Sequence, residues 1–148
     1  MPKTYKPEER LQVATCQMLH ALAPASILYF HPAQEAIRSK ATWGFQIEMG
    51  FVKGVSDWII MGKIDDQSVL AAIELKAGKN KQTDYQKEFQ QWCERAGIPY
   101  WPDIRNVHDF ATILISLDVF KITNVVEWMK YKLPLLAAQL NMPDDQIR

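Results

Sequence analysis

The sequence predicts a mixed α/β fold, one central sheet flanked by helices, on the strength of three observations. Two strand-like runs, Asp57-Trp58-Ile59-Ile60-Met61 and Val69-Leu70-Ala71-Ala72-Ile73-Glu74-Leu75, flank a polar turn from Gly62 to Ser68 and read as a hairpin. Segments with apolar residues at helical spacing lie on both sides of it. The resulting order is helix, strand, helix, strand, strand, helix, strand, helix and a helical tail, which suits helices packed on a sheet.

Each element has its own local reason. Pro7, Glu8 and Glu9 open a helix with Leu11, Val13, Ala14, Met18, Leu19 and Leu22 on one side, and Pro24 closes it. Ser26 to Phe30 is a short apolar strand broken by His31-Pro32. A helix is expected over Lys40 to Met49, capped by Gly50, with a loop from Phe51 to Ser56. Thr83 and Gln86 form a capping box for a helix of about four turns that carries Phe89, Trp92, Cys93 and Ala96 and stops at Gly97. Ile98 to Trp101 is a short strand, and Val107 to Leu117 an amphipathic helix. The tail from Ile122 to Leu140 is helical, with a bend expected at Pro134.

With 148 residues, of which 48% are hydrophobic and 23% charged, the chain supports one core rather than two domains. No apolar run approaches the roughly 20 residues of a membrane span, and Met1 to Arg10 is too polar for a signal peptide, so a cytoplasmic protein is expected. Cys16 and Cys93 lack metal-site spacing and read as reduced thiols. The zero net charge excludes a strongly basic, DNA-coating protein and leaves any nucleic-acid contact to a local patch.

The chemistry concentrates on the hairpin. Glu74 and Lys76 are two apart in a strand and leave one face, with Ile73 and Leu75 on the other. A turn centred on Asp65-Asp66 sets Asp57 opposite Glu74 by antiparallel counting. Two carboxylates at such a corner repel unless neutralised, and a divalent cation with a taste for hard oxygen, Mg²⁺ or Mn²⁺, suits it. On spacing alone, an exposed Glu74–Lys76 pair on an edge strand is the commoner outcome. Lys79, Lys81 and Lys87 lie just beyond, and Arg38, Lys40 and Lys53 add to a surface suited to DNA phosphates, although each alone reads as an ordinary solvated cation. Trp43, Trp58 and Tyr85 are candidates for stacking on unpaired bases, against a core role that is more usual for aromatics. His20, His31 and His108 are too scattered for a shared metal; His31 alone is expected near substrate.

Lys53-Gly54-Val55-Ser56-Asp57-Trp58-Ile59-Ile60, then Ile73-Glu74-Leu75-Lys76, then Thr83-Asp84-Tyr85-Gln86 and a helix ending at Ala96-Gly97, resemble the VRR-NUC nucleases of the PD-(D/E)XK superfamily. The stretch His31 to Lys40 looks like the phage-type stand-alone members. The resemblance spans about Glu8 to Leu117. It implies a restriction-endonuclease-like core over residues 1–118, with 119–148 as a C-terminal helical extension packed on that domain or at a homodimer interface. It also implies metal ligands at Asp57, Glu74 and the Leu75 carbonyl, and Lys76 as the group that orients or deprotonates the attacking water. Gln86 matches the family glutamine beside the site, and Glu8 the first-helix acid, with Glu9 as its rival. Ser56 replaces the usual proline, which predicts a looser approach to Asp57.

The function so implied is Mg²⁺- or Mn²⁺-dependent endonucleolytic hydrolysis of DNA, on branched, flapped or junction substrates, in a bacterial or phage-infected cytoplasm. The alternatives are a catalytically idle nuclease fold that binds nucleic acid or a protein, and an interaction protein directed at a host machine.

Overall fold

The computed structural model describes residues 3–32, 44, 48–50 and 52–148. Most of the helix expected over Lys40 to Met49 falls outside them. Helix α1 (Pro7–Leu22) starts at Pro7, whose missing N–H costs nothing at a first helical position, and the Lys6 N–H donates to Glu9 Oε2 at 2.8 Å. It buries Leu11, Ala14, Thr15, Met18 and Leu19.

Strands β1 (Ile27–Phe30), β2 (Trp58–Ile64), β3 (Gln67–Leu75) and β4 (Tyr100–Ile104) form one sheet in the order β1-β2-β3-β4. The first three are antiparallel; β4 runs parallel to β3 and is reached through α2 (Asp84–Ala96). The β2–β3 strands are longer than the sequence suggested. Lys63 pairs with Ser68 and Ile64 with Gln67, so the turn shrinks to Asp65 and Asp66, both left-handed at φ 47° and 66°. Aspartate tolerates that region, which gives the turn the twist a tight hairpin needs.

β4 begins later than expected. The Ile98 N–H is spent on the Cys93 carbonyl at 2.8 Å, closing α2, so the ladder starts from Pro99, whose carbonyl accepts from Ala72. Between Ile73 and Leu75 the register slips by one residue on β4, at Pro102-Asp103, a bulge that accommodates a residue with no N–H to give.

One face of the sheet, with Trp58, Ile60, Ala71, Ile73, Leu75 and Ile104, packs on α1 and on α3 (Val107–Ser116). The tail is two helices rather than one bent helix. α4 (Ile122–Tyr131) ends before α5 (Leu133–Leu140), because Pro134 cannot donate back to the preceding turn but is tolerated at the start of a new helix. Their Val125, Trp128, Leu133, Ala137 and Leu140 join the same core as α1. A last turn, α6 (Asp144–Ile147), ties back through Gln146, whose Nε2 donates to the Pro7 carbonyl at 2.7 Å. Among the described residues no helix is long and apolar enough to cross a membrane.

Candidate active site

The pairing of Trp58 with Ile73, continued by one residue, sets Asp57 against Glu74 at the open end of the hairpin. Alternation turns Glu74 and Lys76 to the face opposite the core, yet both are buried, at 3% and 6% exposure. They are not the exposed pair that spacing alone favours.

Gln86 organises them. As the N3 residue of α2 its Oε1 accepts from the Thr83 N–H at 2.8 Å, and the Thr83 hydroxyl accepts from the Gln86 N–H at 3.2 Å. The same amide reaches the strand: Nε2 donates to Glu74 Oε1 at 2.7 Å, and Oε1 accepts from Lys76 Nζ at 2.9 Å. Lys76 Nζ is also 3.5 Å from Glu74 Oε1. One side chain therefore both caps α2 and bonds Glu74 and Lys76. Glu74 Oε2 is left buried with no hydrogen-bond partner, an expensive state for a carboxylate oxygen.

Asp57 Oδ2 accepts from the Leu75 N–H at 2.7 Å. In an extended strand the N–H and C=O of one residue leave on the same edge, so the Leu75 carbonyl is directed to the Asp57 side, while the Lys76 N–H turns to Ile104 on β4. Burial and the neighbouring Asp57 push the Glu74 carboxyl up to about 9, against the opposing pull of Lys76. Burial raises Asp57 as well, partly offset by the Leu75 N–H. The corner disfavours two negative charges unless a cation neutralises them.

A divalent cation fits the donors present: two carboxylates, one with a buried unpartnered oxygen, and a backbone carbonyl, all hard oxygen. Among the described residues no group of three or more His, Cys, Asp or Glu side chains forms a ready metal cluster.

Two cavities meet at Asp57 and His31. One, of about 280 Å³, lies between the Lys53–Val55 loop, Glu74 and the first turn of α2. The other, of about 700 Å³, opens between the start of α1 and the loop Gly78 to Asn80. Glu8 lines the second, with Oε1 accepting from Asn80 Nδ2 at 2.8 Å, and is near enough to Asp57 to raise its carboxyl. Its rival Glu9 lines the same cavity and accepts from the Lys6 N–H at the helix cap. His31 Nδ1 lies 2.7 Å from the Asp57 carbonyl.

Of the candidate phosphate contacts, Lys53 and Lys79 line the two cavities. Lys81 and Lys87 are exposed farther out, with Lys87 3.9 Å from Asp84. Arg38, Lys40 and Trp43 lie outside the described residues. Trp58 belongs to the core, its Nε1 donating to Thr15 Oγ1 at 3.0 Å, and is no stacking surface. Ser56 is buried, and its hydroxyl donates to the Trp58 carbonyl at 3.1 Å. Gly54, at φ 77°, lies so close to α2 that an added Cβ would overlap the backbone of Tyr85 and Gln86. That contact seats the loop before Asp57 on the helix that carries Gln86.

Two residues beside the site escaped the sequence reading. Arg105 donates to the carbonyls of Gly78 and Asn80 at 2.7 and 2.8 Å, holding the loop of Lys79, and Asn80 holds Glu8. No local pattern marks either, because both act through contacts distant in sequence. Comparison with protein-family models, curated proteins and solved structures finds no match to this chain.

Proposed function

We propose that this chain is a metal-dependent nuclease of the VRR-NUC kind, built on a restriction-endonuclease-like core, that hydrolyses phosphodiester bonds in DNA. One observation carries the reading: Glu74 and Lys76 are buried side by side, fixed by Gln86, with the Asp57 carboxyl against Glu74. A purely structural ion pair has no use for a second acid pressed against its buried carboxyl.

In this reading Asp57, Glu74 and the Leu75 carbonyl hold Mg²⁺ or Mn²⁺. The cation supplies Lewis acidity and lowers the pKa of bound water. Lys76 has three protons, of which Gln86 and Glu74 take two. The third remains for a phosphate oxygen or the attacking water, and its charge offsets the negative charge that builds on the phosphate. Gln86 is a positioning residue, fixing the Lys76 ammonium and the Glu74 carboxyl together. Glu8 adds a third acid across the cleft, and Lys53 and Lys79 flank it for backbone phosphates.

The test is incubation of the purified chain with labelled linear, flapped and four-way DNA in Mg²⁺ or Mn²⁺. Cleavage that EDTA abolishes is expected; a pure, folded protein that cuts none of these substrates with either ion removes the reading.

A further inference from the structure

Tyr85, Phe89 and Trp92 follow one another at i, i+4 and i+7 on α2 and so line one side of it. Such a row is ordinarily core, yet Tyr85 is 50% and Trp92 54% exposed. The rings are braced: Phe89 stacks on Trp92 at 6.4 Å and 19°, and meets Tyr100 edge-on at 5.8 Å. The row starts at the candidate active site, since Tyr85 lines the same cavity as Glu74, and Lys53 Nζ sits 4.7 Å over its ring. From there it runs away for about 10 Å at the helical rise, close to the rise of three stacked nucleotides.

We propose that Tyr85 and Trp92 form a stacking platform for unpaired nucleobases, along which a strand leaves the Asp57–Glu74 corner single-stranded. This rests on the nuclease reading above. A protein partner is the weaker fit. The row is narrow and flanked by the exposed polar residues Lys87, Glu88 and Gln91, and it begins with an ammonium over a ring beside a candidate phosphate site. Rings offer every base a π-face, and Lys53, on one face of Tyr85, is placed for the adjoining phosphate.

The experiment is fluorescence anisotropy of labelled oligodeoxythymidylate and of a short duplex, in EDTA, with the full chain and its Y85A, Y85F, W92A and W92F variants. Y85A and W92A should each weaken single-strand binding by roughly 5- to 150-fold and lower the ratio of single-strand to duplex affinity. Y85F and W92F, which keep a ring, should restore most of it, and they report even if an alanine variant fails to fold. Wild-type single-strand affinity in the alanine variants, or equal losses on single strand and duplex, overturns the platform. Because binding is read without metal, a chain that cuts nothing can still bear out the platform. A chain that cuts DNA in Mg²⁺ with no ring-dependent binding keeps the nuclease reading and loses the platform.

Discussion

The β2–β3 hairpin carries an acidic pair at each end, Asp65 with Asp66 at the turn and Asp57 with Glu74 at the opening. The turn acids are exposed, and their work is conformational, holding two left-handed residues. At the opening, Glu74 is 3% exposed and its carboxyl is pushed up to about 9, with Asp57 raised beside it. Two like pairs on one hairpin thus differ because α2 covers one end and water the other. An acid becomes a candidate ligand through what desolvates it.

The largest expected effect separates the two ends by activity. Under the nuclease reading E74A and K76A should each lower cleavage by at least about 10²–10³-fold. D65N and D66N should leave it within about two-fold of wild type, read by initial rates in Mg²⁺. Comparable losses at both ends would break the contrast.

Next comes the contact that closes the buried end. G54A inserts a Cβ into the backbone of α2 at a left-handed φ, and should cost about 2–4 kcal/mol in urea unfolding. Cleavage should fall with it, because the loop carries Asp57. Stability equal to wild type would mean that the loop and helix separate freely.

The third test concerns pH. For a carboxyl whose folded pKa is raised, the folded state keeps a proton that the unfolded chain releases. The associated stability is full below the ordinary value of 4.5 and is lost as pH climbs toward about 9. Asp57 acts in the same direction. In EDTA the melting temperature should therefore decline across this window. Mg²⁺ should reduce the decline, since a cation binds the ionised pair of the folded state. A melting temperature that rises over the same range, with or without metal, would show that the pair is not held as described.

Much of this end of the molecule was legible in the sequence because it is local. A tight turn at Asp65-Asp66 fixes the antiparallel count, so Asp57 faces Glu74 whatever the rest of the chain does. The Thr83–Gln86 cap is likewise set within one helical turn. That the Gln86 amide also bonds Glu74 and Lys76 was not legible, because it depends on where α2 docks. That Glu8 meets Asn80 while Glu9 bonds the helix cap depends on the angle at which α1 meets the sheet, and the core place of Trp58 on Thr15 of that helix.

By itself, then, the sequence determined periodicities, caps and the hairpin register, all products of backbone sterics and neighbours a few residues apart. Only the tertiary structure decided which acids lose their water, which glutamine holds the lysine, and that α4 and α5 share the core with α1. The physical reason is that desolvation is a property of packed surfaces, which chain segments far apart in sequence create together.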